Sequence, residues 1–183
     1  MAKLVSTVYG DALFSLALEK DELDVIWEEV KTIRQAVEEN QEFLKLLGHP
    51  DMTEDKKWSL LKEVFGDALS QDTMGLLHVM VRKGRIGELL SVLDYFDEQA
   101  KAYKKIGVVF VTTPIAMTDS QKQQVEERLR KTTPYETLEM NYQVDKSILG
   151  GIIIRIGDQI LDNSIRSQME SMSRKLMNVK LPV

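Results

Sequence analysis

The hydrophobic pattern of the chain changes its period near residue 105. Before that point, apolar residues recur every three or four positions, which is the spacing of amphipathic helices. Six such segments follow one another through short polar connections, and none of them alternates as a strand does. This pattern predicts a compact bundle of six helices over residues 1–105.

Residues with capping and turn preferences set the expected helix ends in this region. Thr53 and Asp72 are suited to be the N-caps of the fourth and fifth helices. Gly84 follows basic residues at the end of the fifth helix, which is a common stop signal. The sixth helix is then predicted from about residue 86 to residue 103.

After residue 105 the pattern indicates strands mixed with helices. Residues 106–113, IGVVFVTT, are mostly apolar and β-branched, and they predict a buried strand. The TDSQ sequence at residues 118–121 is a capping box that opens a polar helix. Residues 138–144 alternate apolar and polar side chains, which predicts a strand with one solvated face. Gly157 and Asp158 separate two short apolar runs, as the turn of a two-residue hairpin does.

A last helix is predicted from its apolar spacing near the C-terminus. One of its faces carries Ile165, Met169, Met172 and Leu176. The second region is therefore expected to be a sheet of three or four strands with two helices. The predicted fold class is α+β, in which a six-helix bundle of residues 1–105 is followed by a small α/β domain of residues 106–183.

Composition and charge exclude several classes of protein. The chain has no cysteine, so disulfides and thiolate metal sites are ruled out. Its net charge of −5 argues against a general nucleic-acid binder, and the basic RKGR run at residues 82–85 is too short for such a footprint. No stretch reaches the ~20 apolar residues of a membrane span. The N-terminal sequence lacks the apolar run and cleavage site of a signal peptide.

No group of residues marks a catalytic or metal site in the sequence. His49 and His78 are the only histidines, and no further nitrogen or thiolate ligand accompanies them. Acidic residues such as Glu28 and Glu29 fit solvated helix faces better than acid–base chemistry. No nucleophile motif is present. The sequence therefore predicts a protein without enzymatic activity, cofactor or metal.

Gly150 and Gly151 precede an aliphatic run and have two interpretations. A phosphate-binding loop would need further glycines and a lysine, and a helix would have to follow it. A strand follows here, so a close approach between backbone segments is the favoured interpretation. Arg155, in the same run, is expected to lie on an exposed face, to pair with Asp158 or Asp162, or to bind an anion.

Three motifs together resemble the family of ATP synthase delta subunits, which includes the mitochondrial oligomycin-sensitivity-conferring protein. Residues 144–176, VDKSILGGIIIRIGDQILDNSIRSQMESMSRKL, are similar to the C-terminal signature of that family. VYGDALFSLA at residues 8–17 and LLHVMVRKGRIGELLSVLDYF at residues 76–96 also agree with it. The motifs occur in order along essentially the whole chain. The signature positions are Asp145, Lys146, Gly150, Gly151, Arg155, Gly157 and Asp158.

The resemblance implies a non-catalytic stator function in the rotary F-type synthase. Members of the family hold the F1 head to the peripheral stalk against torque, so that proton flow stays coupled to ATP synthesis. The helical domain would receive the N-terminal helix of an alpha subunit in a groove between the first and fifth helices. The C-terminal domain would bind the b subunits of the stalk. The expected groove residues are Tyr9, Ala12, Leu13, Leu16, Leu76, Val79 and Met80.

The resemblance also implies a location. A stator subunit is associated with the membrane only through its complex, and the expected place is the cytoplasmic face of a bacterial plasma membrane. No arginine-rich presequence precedes the first helix, which favours a bacterial over an organellar origin, although a processed chain would look the same. Two alternatives remain, a helical adaptor unrelated to the synthase and an enzyme with an unusual site.

Overall fold

The computed structural model of the protein describes residues 2–49, 51–66 and 68–177. The chain divides into two compact units, Met1–Lys101 and Ala102–Val183. In the first unit, every regular element of the described residues is a helix. The helices up to the end of the bundle are α1 (Ala2–Glu19), α2 (Leu23–Glu39), α3 (Gln41–Gly48), α4 (Glu54–Phe65), α5 (Gln71–Arg82) and, after a 3-10 turn at Ile86–Glu88, α6 (Leu89–Tyr103).

The core of the bundle is formed by the apolar stripes that the sequence predicts. Helices α2 and α6 each direct a full stripe inward, because their apolar residues recur at helical spacing. The ring of Phe14 meets the ring of Phe96 edge to face, with 6.1 Å between the centroids. The largest fully buried side chains include Phe96, Ile26, Ile33, Leu47, Leu61, Leu77, Met80, Leu89 and Leu93.

The start of α5 differs from the predicted one. Ser70, and not Asp72, is the N-cap residue, and its hydroxyl accepts a hydrogen bond from the Thr73 amide at 3.3 Å. Asp72 lies in the first turn and forms an ion pair with Lys20. Thr53 holds the N-cap position of α4, as predicted, although its side chain makes no capping hydrogen bond. The N-cap of α5 therefore lies two residues before the predicted Asp72.

The prediction that Glu28 and Glu29 both lie on a solvated face of α2 is wrong for Glu29. Glu28 is exposed, whereas Glu29 is buried, with 9% of its surface accessible. The Glu29 carboxylate accepts hydrogen bonds from the Ser70 amide at 2.7 Å and the Ser70 hydroxyl at 2.8 Å. The Thr73 hydroxyl donates a third. The carboxylate thus accepts hydrogen bonds from donors at the start of α5 that have no partner within that helix. These bonds also link α2 to α5.

The second unit contains a four-stranded sheet and two helices among its described residues. Its elements are β1 (Ile106–Thr113), α7 (Asp119–Thr132), β2 (Thr137–Val144), β3 (Ile153–Ile156), β4 (Gln159–Asp162) and α8 (Ile165–Met177). The strand order is β2-β1-β3-β4. Strands β1 and β2 are parallel and connected through α7, while the other neighbours are antiparallel. Parallel strands need such a crossover, because a tight turn cannot join them.

One face of the sheet carries the core of the second unit. The sequence predicts β1 as a buried strand, but its residues alternate between this core and an opposite face, where Phe110 is 41% exposed. Helix α7 contributes Val125 and Leu129 to the core side, as its apolar spacing predicts. The buried cluster consists of Val109, Val111, Leu129, Leu138 and Ile154.

Two local signals in this unit are confirmed. The Thr118 hydroxyl accepts a hydrogen bond from the Gln121 amide at 3.4 Å, and the Gln121 side chain accepts one from the Thr118 amide at 3.0 Å. Gly157 has a φ of +54° in the two-residue turn that pairs Ile156 with Gln159. The fold class is α+β, with a helical bundle followed by a small α/β unit, as predicted.

Candidate docking surfaces

Helices α1 and α5 contact each other, and an ion pair joins them at one end. Lys20, directly after α1, places its Nζ 2.5 Å from Asp72 Oδ2 in the first turn of α5. The hydrogen bond to the Asp72 carboxylate raises the pKa of Lys20. An exposed pair of this kind adds little stability, but it shows which helix ends meet.

The residues predicted for the α1–α5 groove are divided between the surface and the core. Leu13 and Met80 are buried, at 3% and 0% exposure, and belong to the core of the bundle. Val79 is 42% exposed, and Ala12 is exposed as well. The division is physical, since neighbours along a helix point about 100° apart. The half-buried members of the set are Tyr9, Leu16 and Leu76.

Helix α1 also exposes two apolar residues that were not among the predicted groove residues. Leu4 is 71% exposed and Val8 is 57% exposed, and with Ala12 they form a line at four-residue spacing. The sequence pattern could have identified these two residues, because α1 carries apolar residues on both of its sides. A helix that packs on one side only is usually polar on the other. We define the α1–α5 surface as Leu4, Val8, Tyr9, Ala12, Leu16, Leu76 and Val79.

The small residues that follow Tyr9 have a structural role. Gly10 is buried, and a Cβ atom at this position would lie 2.4 Å from Cδ1 of Tyr95 on α6. The Tyr95 hydroxyl donates a hydrogen bond to Asp11 Oδ1 at 2.9 Å, and this bond raises the pKa of Tyr95. Gly10 thus leaves space for the Tyr95 ring, and Asp11 accepts a hydrogen bond from its hydroxyl. Together these contacts hold α1 against α6.

Asp145, the first of the named signature positions, closes a turn after β2. Its amide donates a hydrogen bond to the Thr113 carbonyl at 2.9 Å, and its carboxylate accepts one from the Ser147 amide at 2.8 Å. Hydrogen bonds from the Ser147 side chain and backbone lower the pKa of Asp145. Lys146, between them, is exposed. The carboxylate is therefore used within the turn, as aspartate commonly is.

Gly151 occupies a position that admits no side chain. Its φ is +91°, and a Cβ atom there would lie 2.3 Å from the carbonyl oxygen of Asn163. Two backbone hydrogen bonds of 3.0 Å hold the segments together, from the Asn163 amide to Ile152 and from the Ile165 amide to Gly150. The close approach of two backbone segments that the sequence predicts is therefore found at Gly151.

Arg155 lies on the exposed face of the sheet, which is one of its predicted alternatives. Its guanidinium carbon is 4.9 Å from the centroid of the Phe110 ring, the geometry of a cation–π contact. Asp162 is occupied elsewhere, since it accepts hydrogen bonds from the Ser167 hydroxyl at 2.5 Å and the Ser164 amide at 2.9 Å. These bonds lower the pKa of Asp162. Asp158 is exposed in the hairpin turn.

Helix α8 exposes the apolar face that the sequence predicts for it. Ile165 is 46% exposed, and Met169 and Met172 are each 62% exposed. Leu176 completes the predicted face, but its side chain lies outside the described part of the structure. Clusters of exposed apolar residues are more common at interaction surfaces than elsewhere on a soluble protein.

The described residues contain no group of three or more histidine, cysteine, aspartate or glutamate side chains that could hold a metal ion. His49 is exposed after α3, where its Nδ1 accepts a hydrogen bond from the Asp51 amide at 3.3 Å. His78 is exposed on α5, with its ring centroid 4.5 Å from that of Trp58.

None of the helices in the described ranges is long and apolar enough to cross a membrane.

Comparison with known proteins assigns the chain to a family. A profile of the family described as ATP synthase delta (OSCP) subunit matches residues 5–176. The chain belongs to this family. Its relatives in the delta (OSCP) family include the ATP synthase subunit delta of Lachnoclostridium phytofermentans, which is 42% identical over 99% of this chain and 100% of its own length. The subunit delta of Alkalihalophilus pseudofirmus is 32% identical over 94% of this chain and 95% of its own.

A solved structure shares the fold of this delta (OSCP) family member. A chain of the Toxoplasma gondii mitochondrial ATP synthase hexamer matches it with a TM-score of 0.76, over 97% of this chain and 98% of that one. The two are 20% identical in sequence, so the likeness concerns the fold. The resemblance found in the sequence motifs is confirmed by the family match. The chain is thus a stator component of an ATP synthase and is associated with that membrane-bound complex.

Proposed function

We propose that the chain is a non-catalytic subunit that connects the F1 head of a bacterial ATP synthase to its peripheral stalk. The head is bound through the N-terminal helix of an alpha subunit, and the stalk through the b subunits. The connection resists the torque of the central stalk, so that proton flow drives ATP synthesis. Family membership supports the proposal, together with the exposed apolar residues on α1, α5 and α8. The complex holds the chain at the cytoplasmic face of the plasma membrane.

The observation that carries the head-binding part is the α1–α5 surface. Leu16 lies one helical turn before Lys20, and Leu76 lies one turn after Asp72, so both are near the ion pair. Ala12 and Val79 lie one further turn along their helices. Aliphatic side chains around an alanine suit the apolar face of a partner helix, because the small residue allows a close approach. Leu13 and Met80 are buried, so they are not part of the proposed site. The exposed Leu4 and Val8 are added to it.

Val79→Asp should leave the bundle folded and weaken binding of the alpha N-terminal helix by roughly tenfold or more. The free protein tolerates the charge because the Val79 side chain is 42% exposed, whereas a bound helix would desolvate it. Isothermal titration calorimetry with a synthetic peptide of the alpha N-terminus measures the affinity. Circular dichroism melting checks the fold.

Val64→Asp is the matched control for this experiment. Val64 is 48% exposed on α4 of the same bundle and lies outside the α1–α5 surface. The Val64 variant should bind the peptide as the unsubstituted protein does. Unfolding of Val79→Asp would place Val79 in the core, and unchanged binding by that variant would place the groove elsewhere.

Replacing both His49 and His78 with glutamine should leave coupled ATP synthesis unchanged within a few-fold. Both side chains are exposed, and neither belongs to a cluster of metal ligands within the described residues. The measurement is ATP synthesis by vesicles reconstituted with the variant subunit, together with metal analysis of the purified chain. Loss of a tightly bound metal from the double variant would contradict the proposal that the subunit needs none.

A pull-down from detergent-solubilised membranes tests the proposal as a whole. The alpha and b subunits should be recovered with the tagged chain, and the purified chain should show no turnover of ATP by itself. Recovery of neither subunit would refute the proposed connections to the head and the stalk. Turnover by the purified chain would refute the non-catalytic assignment.

A further inference from the structure

The two halves of helix α5 are held in the bundle by different kinds of contact. The buried apolar residues of α5 are Leu77, Met80 and Val81, and all three lie in its second half. In the first half, residues 71–76, the buried residue is Thr73, which is polar. The position of this first half therefore depends on hydrogen bonds more than on apolar packing.

The carboxylate of Glu29 on α2 accepts the hydrogen bonds that hold this half. The Ser70 amide and hydroxyl donate to it at 2.7 and 2.8 Å, and the Thr73 hydroxyl donates as well. The Ser70 hydroxyl in turn accepts a hydrogen bond from the Thr73 amide. We call Glu29, Ser70 and Thr73 the α5 anchor. Because hydrogen bonds are directional and apolar packing is not, the anchor fixes the rotation of α5 about its own axis.

The rotation of α5 decides which of its side chains belong to the α1–α5 surface. Neighbouring positions on a helix point about 100° apart, and Val79 is 42% exposed while Met80 is fully buried. A rotation of that size would bring Met80 to the place of Val79. Leu76 lies one turn after Asp72, whose ion pair with Lys20 joins the first half of α5 to the end of α1. The α5 side of the surface therefore requires the first half of the helix to be held in place.

We propose that Glu29 is a positioning residue for the contact with the F1 head. Its side chain is buried and acts through the α5 anchor, which sets the rotation of α5 and so presents Leu76 and Val79 to the partner helix. Without the anchor, only a fraction of the molecules hold α5 in the binding position, and the apparent affinity falls by that fraction. This inference rests on the proposed function, in which the α1–α5 surface receives the alpha N-terminal helix.

Glu29→Ala should weaken binding of a synthetic alpha N-terminal peptide by roughly fivefold or more, because the binding position of α5 is less populated. Val37→Ala is the control for lost stability. Val37 is 1% exposed on the same helix, eight residues or about 12 Å further along, so its truncation loosens the core away from the anchor. Calorimetric titration of the full chain is done at a temperature where urea unfolding shows both variants to be folded. Val37→Ala should bind the peptide normally.

Two milder variants grade the effect. Glu29→Gln keeps an acceptor for the Ser70 amide and should recover part of the affinity that Glu29→Ala loses. Thr73→Val removes one donor and keeps the shape of the side chain, so it should lose less affinity, and it decides the test if Glu29→Ala does not fold. The double variant Glu29→Ala/Thr73→Val should bind no more weakly than Glu29→Ala, since both substitutions remove the same link. Additive losses would show that Thr73 acts independently and would overturn the anchor.

Amide hydrogen exchange locates the effect within the bundle. Glu29→Ala should accelerate exchange of residues 70–76 more than exchange of α6, and Val37→Ala should not show this preference. Normal peptide affinity in both Glu29→Ala and Thr73→Val would overturn the inference and leave the proposed function standing. Equal losses of affinity in Glu29→Ala and Val37→Ala would assign the effect to stability alone and overturn it as well. Failure of the unsubstituted chain to bind the peptide would instead refute the head contact of the proposed function.

Discussion

Replacing Gly151 with valine should destabilise the small α/β unit by about 2–5 kcal/mol and leave the helical bundle unchanged. Two costs add up. A β-branched residue is unfavourable at a φ of +91°, and its Cβ atom would lie 2.3 Å from the carbonyl oxygen of Asn163. The opposing atoms belong to a backbone held by two hydrogen bonds between residues 150–152 and 163–165, so they cannot move aside without breaking those bonds.

The two units can be followed separately in this experiment. Trp27 and Trp58, the only tryptophans, belong to the bundle, so tryptophan fluorescence in urea reports on that unit alone. Amide hydrogen exchange of β3 and α8, measured by mass spectrometry, reports on the second unit. Gly151→Val should accelerate this exchange without moving the fluorescence midpoint. Unchanged exchange in the variant would show that the close backbone approach is not required.

Gly150 supplies a matched pair of alanine variants. An alanine Cβ at position 150 would meet Cδ1 of Ile165 at 2.5 Å, which is the end of a flexible side chain that can change rotamer. At position 151 the same atom meets a fixed backbone. Gly151→Ala should therefore accelerate exchange far more than Gly150→Ala. Equal effects of the two substitutions would contradict the steric explanation.

Glu29→Ala should destabilise the bundle by about 2–4 kcal/mol, because a buried charged acceptor is removed from its donors. The Ser70 amide, the Ser70 hydroxyl and the Thr73 hydroxyl all donate to this carboxylate. Without it, the buried Thr73 hydroxyl and the half-buried donors of Ser70 lose their partner, and α2 loses a polar link to α5. The midpoint of the tryptophan fluorescence transition in urea measures the effect, and exchange in the second unit should stay unchanged.

Glu28→Ala is the control for the removal of a carboxylate from α2. Glu28 is exposed, and its ion pair with Lys31 at 2.8 Å joins neighbours on the same helix, so the midpoint should change little. Glu29→Gln keeps one carbonyl acceptor and should fall between Glu29→Ala and the unsubstituted chain. A Glu29→Ala variant as stable as Glu28→Ala would show that the buried hydrogen bonds are not stabilising.

The elements set by local chemistry were the most predictable from the sequence. Strand β1 has the predicted bounds of residues 106–113, and the capping box at Thr118 forms as predicted. The Gly157 turn also forms, because a positive φ suits glycine in a two-residue hairpin. In each of these cases the decisive interaction joins residues close together in the sequence.

Features decided by distant contacts were not predictable in this way. Glu29 looks like any acidic residue on a helix, and only the position of Ser70 shows that it is buried. Ser70 and Asp72 are both good caps, so their types alone could not fix the start of α5. Periodicity identified the apolar line of α8, but whether such a line is covered depends on the packing of the whole unit. For the same reason it could not separate Leu13 from Val79 within the predicted groove.

Strand β4 bears on how the subunit behaves before it is assembled. It is the last strand in the sheet order, and all four of its residues are exposed. An edge strand offers unpaired amides and carbonyls to other extended chains, which is a common route to aggregation. This edge is only four residues long, and the exposed Asp158 lies in the turn directly before it; short edges flanked by charge disfavour pairing with a second copy. We expect the short edge to limit edge-to-edge association of a newly synthesised subunit until the complex takes it up.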